Sequence, residues 1–329
     1  MATMKTLNGY GFNATEFNGK TSDSYLLRTD TAANSADSQK LGGKAPGYYI
    51  QPRNVLDNSD FRNPVNQRGI TSETSVSAYS YFIDRWINQT SEARSFTLST
   101  SGIGLPLATT LLQKIEKIEA GKIVTFAIKL SDGTIATLTG TVQYTSDGSW
   151  TRFASIVHSF GDIYMETMNG VVNVVVYNTK VITIEWAALY EGSYTAETLP
   201  PYVPKGYAAE FAECRRYYKR FTAPYAGIAG TGYVTGSTKY IYINPPDNYP
   251  MRINKPSFAF KGVINVRGIN GYIVEDYGDA VIRVYENATG CIPTLEIVRG
   301  DSAAWNATNN TPVAVQFHAK SVLELIADL

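Results

Sequence analysis

Apolar and polar positions alternate in short runs along most of this chain. Residues 122–130 and 134–144 are rich in Val, Ile, Thr and Phe, and each run ends on a Ser-Asp-Gly triplet, at Ser131-Asp132-Gly133 and Ser146-Asp147-Gly148. β-branched and aromatic side chains suit a pleated, half-buried surface, while Asp-Gly pairs turn the chain. Further runs occupy 150–157, 162–168, 171–177 and 181–190, with Asn169-Gly170 as a hairpin turn between two of them. Strands this short and this regularly spaced predict an all-β jelly roll or β-sandwich over residues 53–206. One segment breaks the alternation. Leu107, Leu111, Ile115 and Ile118 recur at helical spacing, Pro106 precedes them and Gly121 follows, which predicts a short capping helix at an open end of the sandwich.

Prolines at 200, 201 and 204 cannot continue a strand ladder, so the sandwich is expected to end there. Strand patterns resume at 240–244, 258–266, 271–275, 280–285, 294–298 and 313–317, predicting a second, smaller β-sandwich over 207–329. Its apolar end, 321–329, is expected to dock. The glycine-rich run 227–233 lacks the Lys-Ser/Thr of a phosphate loop and reads as a mobile loop.

Residues 1–52 differ from the rest: aliphatics are few and polar residues many. A unit repeats within them, with Phe17, Gly19, Lys20, Tyr25 and Leu26 matching Leu41, Gly43, Lys44, Tyr49 and Ile50. Each copy has too little apolar area to form a core alone and needs copies in other chains, or a larger body, to pack against. Closed cyclic assembly of identical chains meets that need.

Composition narrows the chemistry. The 329 residues are 44% hydrophobic, enough for a sizeable core, and 29 basic residues balance 29 acidic ones. A neutral chain has no net field to gather nucleic acid. No stretch approaches a membrane span and the start has no signal-peptide pattern, so a soluble chain made in a cytoplasm is expected. Cys214 and Cys291 sit in no metal-binding spacing and read as buried, reduced thiols. His158 and His318 lie near no nucleophile motif, so no catalytic residue and no cofactor is expected. Asp57, Asp60, Glu275, Asp276 and Asp279 are carboxylates that a structural calcium ion would use, with ordinary solvated acids as the default reading.

The 23 tyrosines and 27 glycines suit a contact surface for polar ligands, because the Tyr ring is rigid and carries a polar tip. The densest such segments lie in the second β-domain. Tyr225, Tyr233, Asp247, Tyr249, Trp305 and Asn306 are therefore the candidate ligand-binding residues, the alternative being that the rings cover the second core.

Several motifs occur in a familiar order. Ala36-Asp37-Ser38-Gln39-Lys40-Leu41-Gly42-Gly43-Lys44 precedes Tyr48-Tyr49, and Asn54-Val55-Leu56-Asp57-Asn58 leads to Ser59-Asp60-Phe61. Gln67-Arg68-Gly69, then Asp84-Arg85-Trp86, then Ala120-Gly121-Lys122, Ala188-Leu189-Tyr190-Glu191-Gly192 and Cys214-Arg215-Arg216-Tyr217-Tyr218 follow. In this order, over residues 15–220, the chain resembles the tail-fibre and receptor-binding proteins of tailed phages and prophages, with their fibre repeats and carbohydrate-binding-module-like sandwich. That resemblance implies a homotrimer in the virion tail, joined to tail or baseplate proteins through residues 1–52, that attaches to a bacterial surface glycan or protein. A glycan depolymerase and a purely structural spacer are the alternatives.

Overall fold

A computed structural model describes Glu16–Phe17, Lys20–Thr21 and residues 52–329 apart from 73, 117, 223–226, 236–238, 245–250, 253–255, 269–270, 278–279, 286–293, 300, 302, 308–309, 318–320 and 328–329. Met1–Pro52 and Arg53–Leu329 are separate compact units. In the first, the two short strands pair antiparallel, Phe17 opposite Lys20, in the first copy of the repeat. The rest of the repeats lies outside the described residues.

Among the described residues the fold is all-β with one short helix. Residues 75–191 form two large antiparallel sheets and one two-stranded sheet, Ser75–Val76 with Arg94–Ser95. Thr151–His158, Gly161–Met168, Val171–Asn178, Thr110–Ile115, Trp86–Asn88 and Ser80–Ile83 lie side by side in that order in a six-stranded sheet. A five-stranded sheet runs Ile135–Thr141, Ile123–Leu130, Ile182–Glu191, Gly102–Leu105 and Thr97–Ser99. Alternate residues turn inward from both, so Val172, Val174 and Val176 meet a core that includes Phe126, Ile128 and Leu189. Trp86 and Phe61 are fully buried there with ring centroids 5.0 Å apart.

The expected capping helix is absent from its place. Residues 110–115 are a strand, paired with Trp86–Asn88 on one side and Val171–Asn178 on the other. Residues four apart share a face in a strand as well as in a helix, so Leu111 and Ile115 satisfy both periods. Leu112 decides between them. It is buried on the opposite face from Leu111, as only a period of two allows. Leu107 is 58% exposed in a turn with Ala108 at φ 55°. Among the described residues the helix lies instead at Tyr207–Cys214.

The second half has its own core. Gly271–Tyr277, Ile264–Gly268, Pro312–Phe317, Gly227–Thr235, Tyr240–Asn244, Thr294–Arg299 and Ala280–Tyr285 form a seven-stranded sheet, and Tyr218–Thr222, Val322–Ile326 and Ser257–Lys261 a three-stranded one. Leu323 and Leu325 of the near-terminal strand are buried against Val234, Ile241, Val266 and Val315. The docked end expected from its apolar pattern is therefore a central strand.

The glycine-rich run corrects a second expectation. Gly227–Thr235 is a strand between two neighbours, not a loop. Its glycines serve close approach, since a Cβ on Gly232 would collide with the Tyr242 carbonyl and one on Gly230 with that of Asn244.

The strand at 110–115 has a direct test in chemical denaturation. Leu111→Ala is expected to cost about 2–5 kcal/mol while the exposed Leu107→Ala stays within about 0.5 kcal/mol. Equal losses would mean that both side chains face the core from a helix.

Candidate functional site

Strand register assembles a surface on the outer face of the six-stranded sheet. Tyr81 lies opposite Ile87, Ile87 opposite Leu112, Leu112 opposite Val175, Val175 opposite Tyr164, and Tyr164 opposite Ser155. These residues point away from the main core. Ile87, Leu112 and Val175 are buried, and the half-buried Tyr81 and Tyr164 pack against them. An aliphatic floor thus carries a tyrosine on either side.

Polar rows flank this stripe. On one side Lys114, Asn173, Glu166 and Arg152 follow one another across four strands. On the other stand Thr110, Tyr177, Asp162 and Val157, the last 78% exposed. The Arg152 guanidinium stacks 3.8 Å from the centre of the Tyr164 ring. Burial, followed by the nearby Glu166 carboxylate, raises the Tyr164 phenol above its usual range, so the hydroxyl remains a donor at neutral pH.

Asn173 is the telling residue. Only 6% of it is exposed, its Nδ2 donates to Glu166 Oε1 at 3.4 Å, and its Oδ1 is buried with no partner. A buried carbonyl oxygen without a donor is costly, which sets Asn173 apart from its satisfied neighbours. The face carries the groups that a hydroxylated ligand would use: a carboxylate at Glu166, cations at Lys114 and Arg152, and the Tyr81 and Tyr164 rings, each with a guanidinium stacked on it at 4.3 and 3.8 Å.

The residues singled out from sequence are distributed differently. Tyr233 is 50% exposed, with its ring 6.3 Å from that of Tyr242 and the Tyr240 ring 6.4 Å from Tyr242 on the same outer row. Asn306 is exposed. Trp305 is 2% exposed in the second core, where its ring covers apolar neighbours such as Val234 and Met251 and offers no open face to a ligand. For that ring the core reading holds. Tyr225, Asp247 and Tyr249 lie outside the described residues, as do Cys291, His318 and Asp279. The sheet face around Asn173 escaped the sequence reading, although one signal was present: Asn173 is the one polar residue inside the run Val171 to Val176.

Asp84-Arg85-Trp86 is buried and serves packing. The turn places Arg85 at φ 73° and 2% exposure, with Nε 3.3 Å from Asp57, Nη2 2.6 Å from the Lys114 carbonyl and the guanidinium 3.5 Å from the centre of the Tyr217 ring. Arg68 stacks 3.8 Å over Tyr218, and Gln67 Nε2 donates to the Tyr218 carbonyl at 3.0 Å. Asp57, Asn58, Gln67, Arg68 and Arg85, from three of the motifs that carry the resemblance, therefore meet the helix and the segment Cys214 to Tyr218 along one seam.

Asp57 accepts from both Arg85 and Lys205, while Asp60 pairs with Arg62 at 2.8 Å. Among the described residues no group of three His, Cys, Asp or Glu side chains is placed to hold a metal ion, and no helix is long and apolar enough to cross a membrane. Cys214 is fully buried, which pushes its thiol well above the ordinary range.

Glu210, also in the seam, accepts from the Asn58 N–H at 2.6 Å, and burial raises its carboxyl above the usual value. A raised folded pKa means that Glu210 costs nothing in acid, where folded and unfolded forms are both protonated, and destabilises progressively as pH rises through the unfolded value towards the folded one. Glu210→Gln should therefore match the unmodified chain in acid and exceed it at neutral pH, as urea midpoints at both pH values will show.

Comparison with known proteins gave no match, whether to a family model, to a curated protein or to a solved structure.

Proposed function

We propose that this chain is a non-enzymatic attachment protein of a tailed phage or phage-derived particle, and that it holds a bacterial surface glycan on the outer face of its six-stranded sheet. The observation that carries the binding role is the unpartnered Asn173 Oδ1 within a polar row beside the Tyr81 and Tyr164 stripe. A sheet face is open and extended, which suits a polymer that passes across it. The phage assignment is supported by the ordered motifs between residues 15 and 220.

In this reading residues 1–52 join a homotrimer to tail or baseplate proteins in the virion. Three copies present three faces, and each added contact becomes intramolecular, so avidity exceeds single-site affinity by about 10² to 10⁴. The exposed Tyr233, with the half-buried Tyr240 and Tyr242 beside it, supports a second reading, in which the far sheet contributes a contact of its own to a glycan or protein receptor. Release of reducing ends from host glycan would favour the depolymerase alternative over both.

Asn173→Ala and Tyr164→Ala should each weaken adsorption to cells of the host strain by about tenfold or more, with melting temperatures close to the unmodified chain. Adsorption unchanged by both variants but lost in Tyr233→Ala would move the contact to the second sheet. Assembly is tested separately by light scattering. A trimer is expected for the full chain and a monomer for a chain beginning at Arg53; a full-length monomer at micromolar concentration would reject the assembly.

A further inference from the structure

A cleft of about 530 Å³ opens where the helix meets the sandwich, on residues that the sheet face does not use. Its volume is typical of small-ligand sites. Arg85 lines it. The Asp57 carboxylate and the Lys114 carbonyl occupy Nε and Nη2 of that guanidinium, whereas Nη1 is buried and has no partner. Val55, Ile115 and Ile118 give the cleft an apolar wall.

The rim consists of ion pairs: Arg53 with Glu213 at 3.3 Å, Arg216 with Glu116 at 3.0 Å, and Lys122 with Glu191 at 3.5 Å. Glu119 is a further carboxylate on the lining. Taken together, the lining holds four cationic side chains against five carboxylates. A lone buried Arg nitrogen would suit an anion, but this balance gives an anionic ligand no net attraction.

We infer that this cleft is a second binding site, for an uncharged polyhydroxylated ligand of mono- or disaccharide class, with a ligand hydroxyl oxygen accepting from Arg85 Nη1. A hydroxyl both donates and accepts, so one hydroxyl satisfies Arg85 and its neighbours bridge the two ends of a rim ion pair. Amide groups divide those roles between separate atoms in fixed geometry, which makes a peptide the poorer match. The apolar wall takes the C–H face of the ring. The inference is independent of the sheet-face proposal, because no residue is shared between the two sites.

Calorimetric titration of the full chain with maltose, lactose, cellobiose and chitobiose, and with di-galacturonate and tri-alanine for comparison, tests it. At least one neutral disaccharide should bind saturably and more tightly than both comparison ligands. Arg85→Met should weaken that binding by about tenfold or more, the usual loss when a hydrogen bond to a charged group is removed. Because Arg85→Met disturbs the seam, the exposed Glu119→Trp is the second variant, and it should block binding without shifting the melting temperature. Tyr164→Ala should leave the titration unchanged. Absence of saturable binding by all four neutral sugars, tighter binding of di-galacturonate or tri-alanine, or binding that survives Glu119→Trp would each overturn the inference. Binding lost in Tyr164→Ala but kept in Glu119→Trp would overturn it too, while supporting the sheet face.

Discussion

The burial of polar groups along the seam is the constraint on which the rest of this structure depends. Asn58 is 1% exposed, and its side chain donates to the Val65 and Asp84 carbonyls at 2.8 and 2.7 Å while accepting from the Val65 N–H at 2.6 Å. Its own carbonyl receives the Trp86 indole N–H and its N–H donates to Glu210. A buried amide left without these partners would cost more than each bond contributes when made, so the network holds only in one arrangement. Arg85 works the same way with charge. Buried ion pairs are weak sources of net stability, yet removing one partner is expensive, and Asp57, Arg85 and Tyr217 therefore specify how the sandwich meets the helix.

The same seam explains why the two hydrophobic cores belong to one compact unit. Tyr217 and Tyr218 leave the helix with their rings under Arg85 and Arg68, their hydroxyls bonded to Glu116 and Glu324 and burial raising both phenols. The next residues form a strand beside Val322–Ile326, and the Tyr217 carbonyl accepts from the Ala327 N–H at 2.7 Å. One short segment thus contributes to the edge of one core and the start of the other. Sequence placed a domain boundary beside it because prolines 200, 201 and 204 end a ladder; the side chains that follow rejoin what those prolines separate.

The surfaces proposed for binding follow from what the sheets leave over. Most inward positions of the six-stranded sheet are used by the core, and register brings Tyr81, Tyr164, Asn173 and Arg152 onto its outer face from four different strands. No two of these residues are neighbours in the chain. The loops of the second body drew the sequence reading by their aromatic density, but density does not distinguish a ring that covers a core, as Trp305 does, from one that faces water, as Tyr233 does.

By itself the sequence determined the class of the fold and most strand positions, because turn triplets such as Ser131-Asp132-Gly133 and the two-residue alternation act locally and leave the backbone little choice. Tyr240–Asn244 and Ala280–Tyr285 were legible to the residue. The segment around Leu111 was not, since a four-residue spacing satisfies helix and strand alike and only the neighbouring strands, which bury Leu112 on the far side, settle it. The Gly227–Thr235 strand was missed for a related reason, as glycine signals a loop until another backbone is close enough to require it. The partners of Arg85, the free Oδ1 of Asn173 and the cleft beside Tyr217 belong to the tertiary structure alone, for each is made by residues far apart in the chain that become neighbours only when strand register is set.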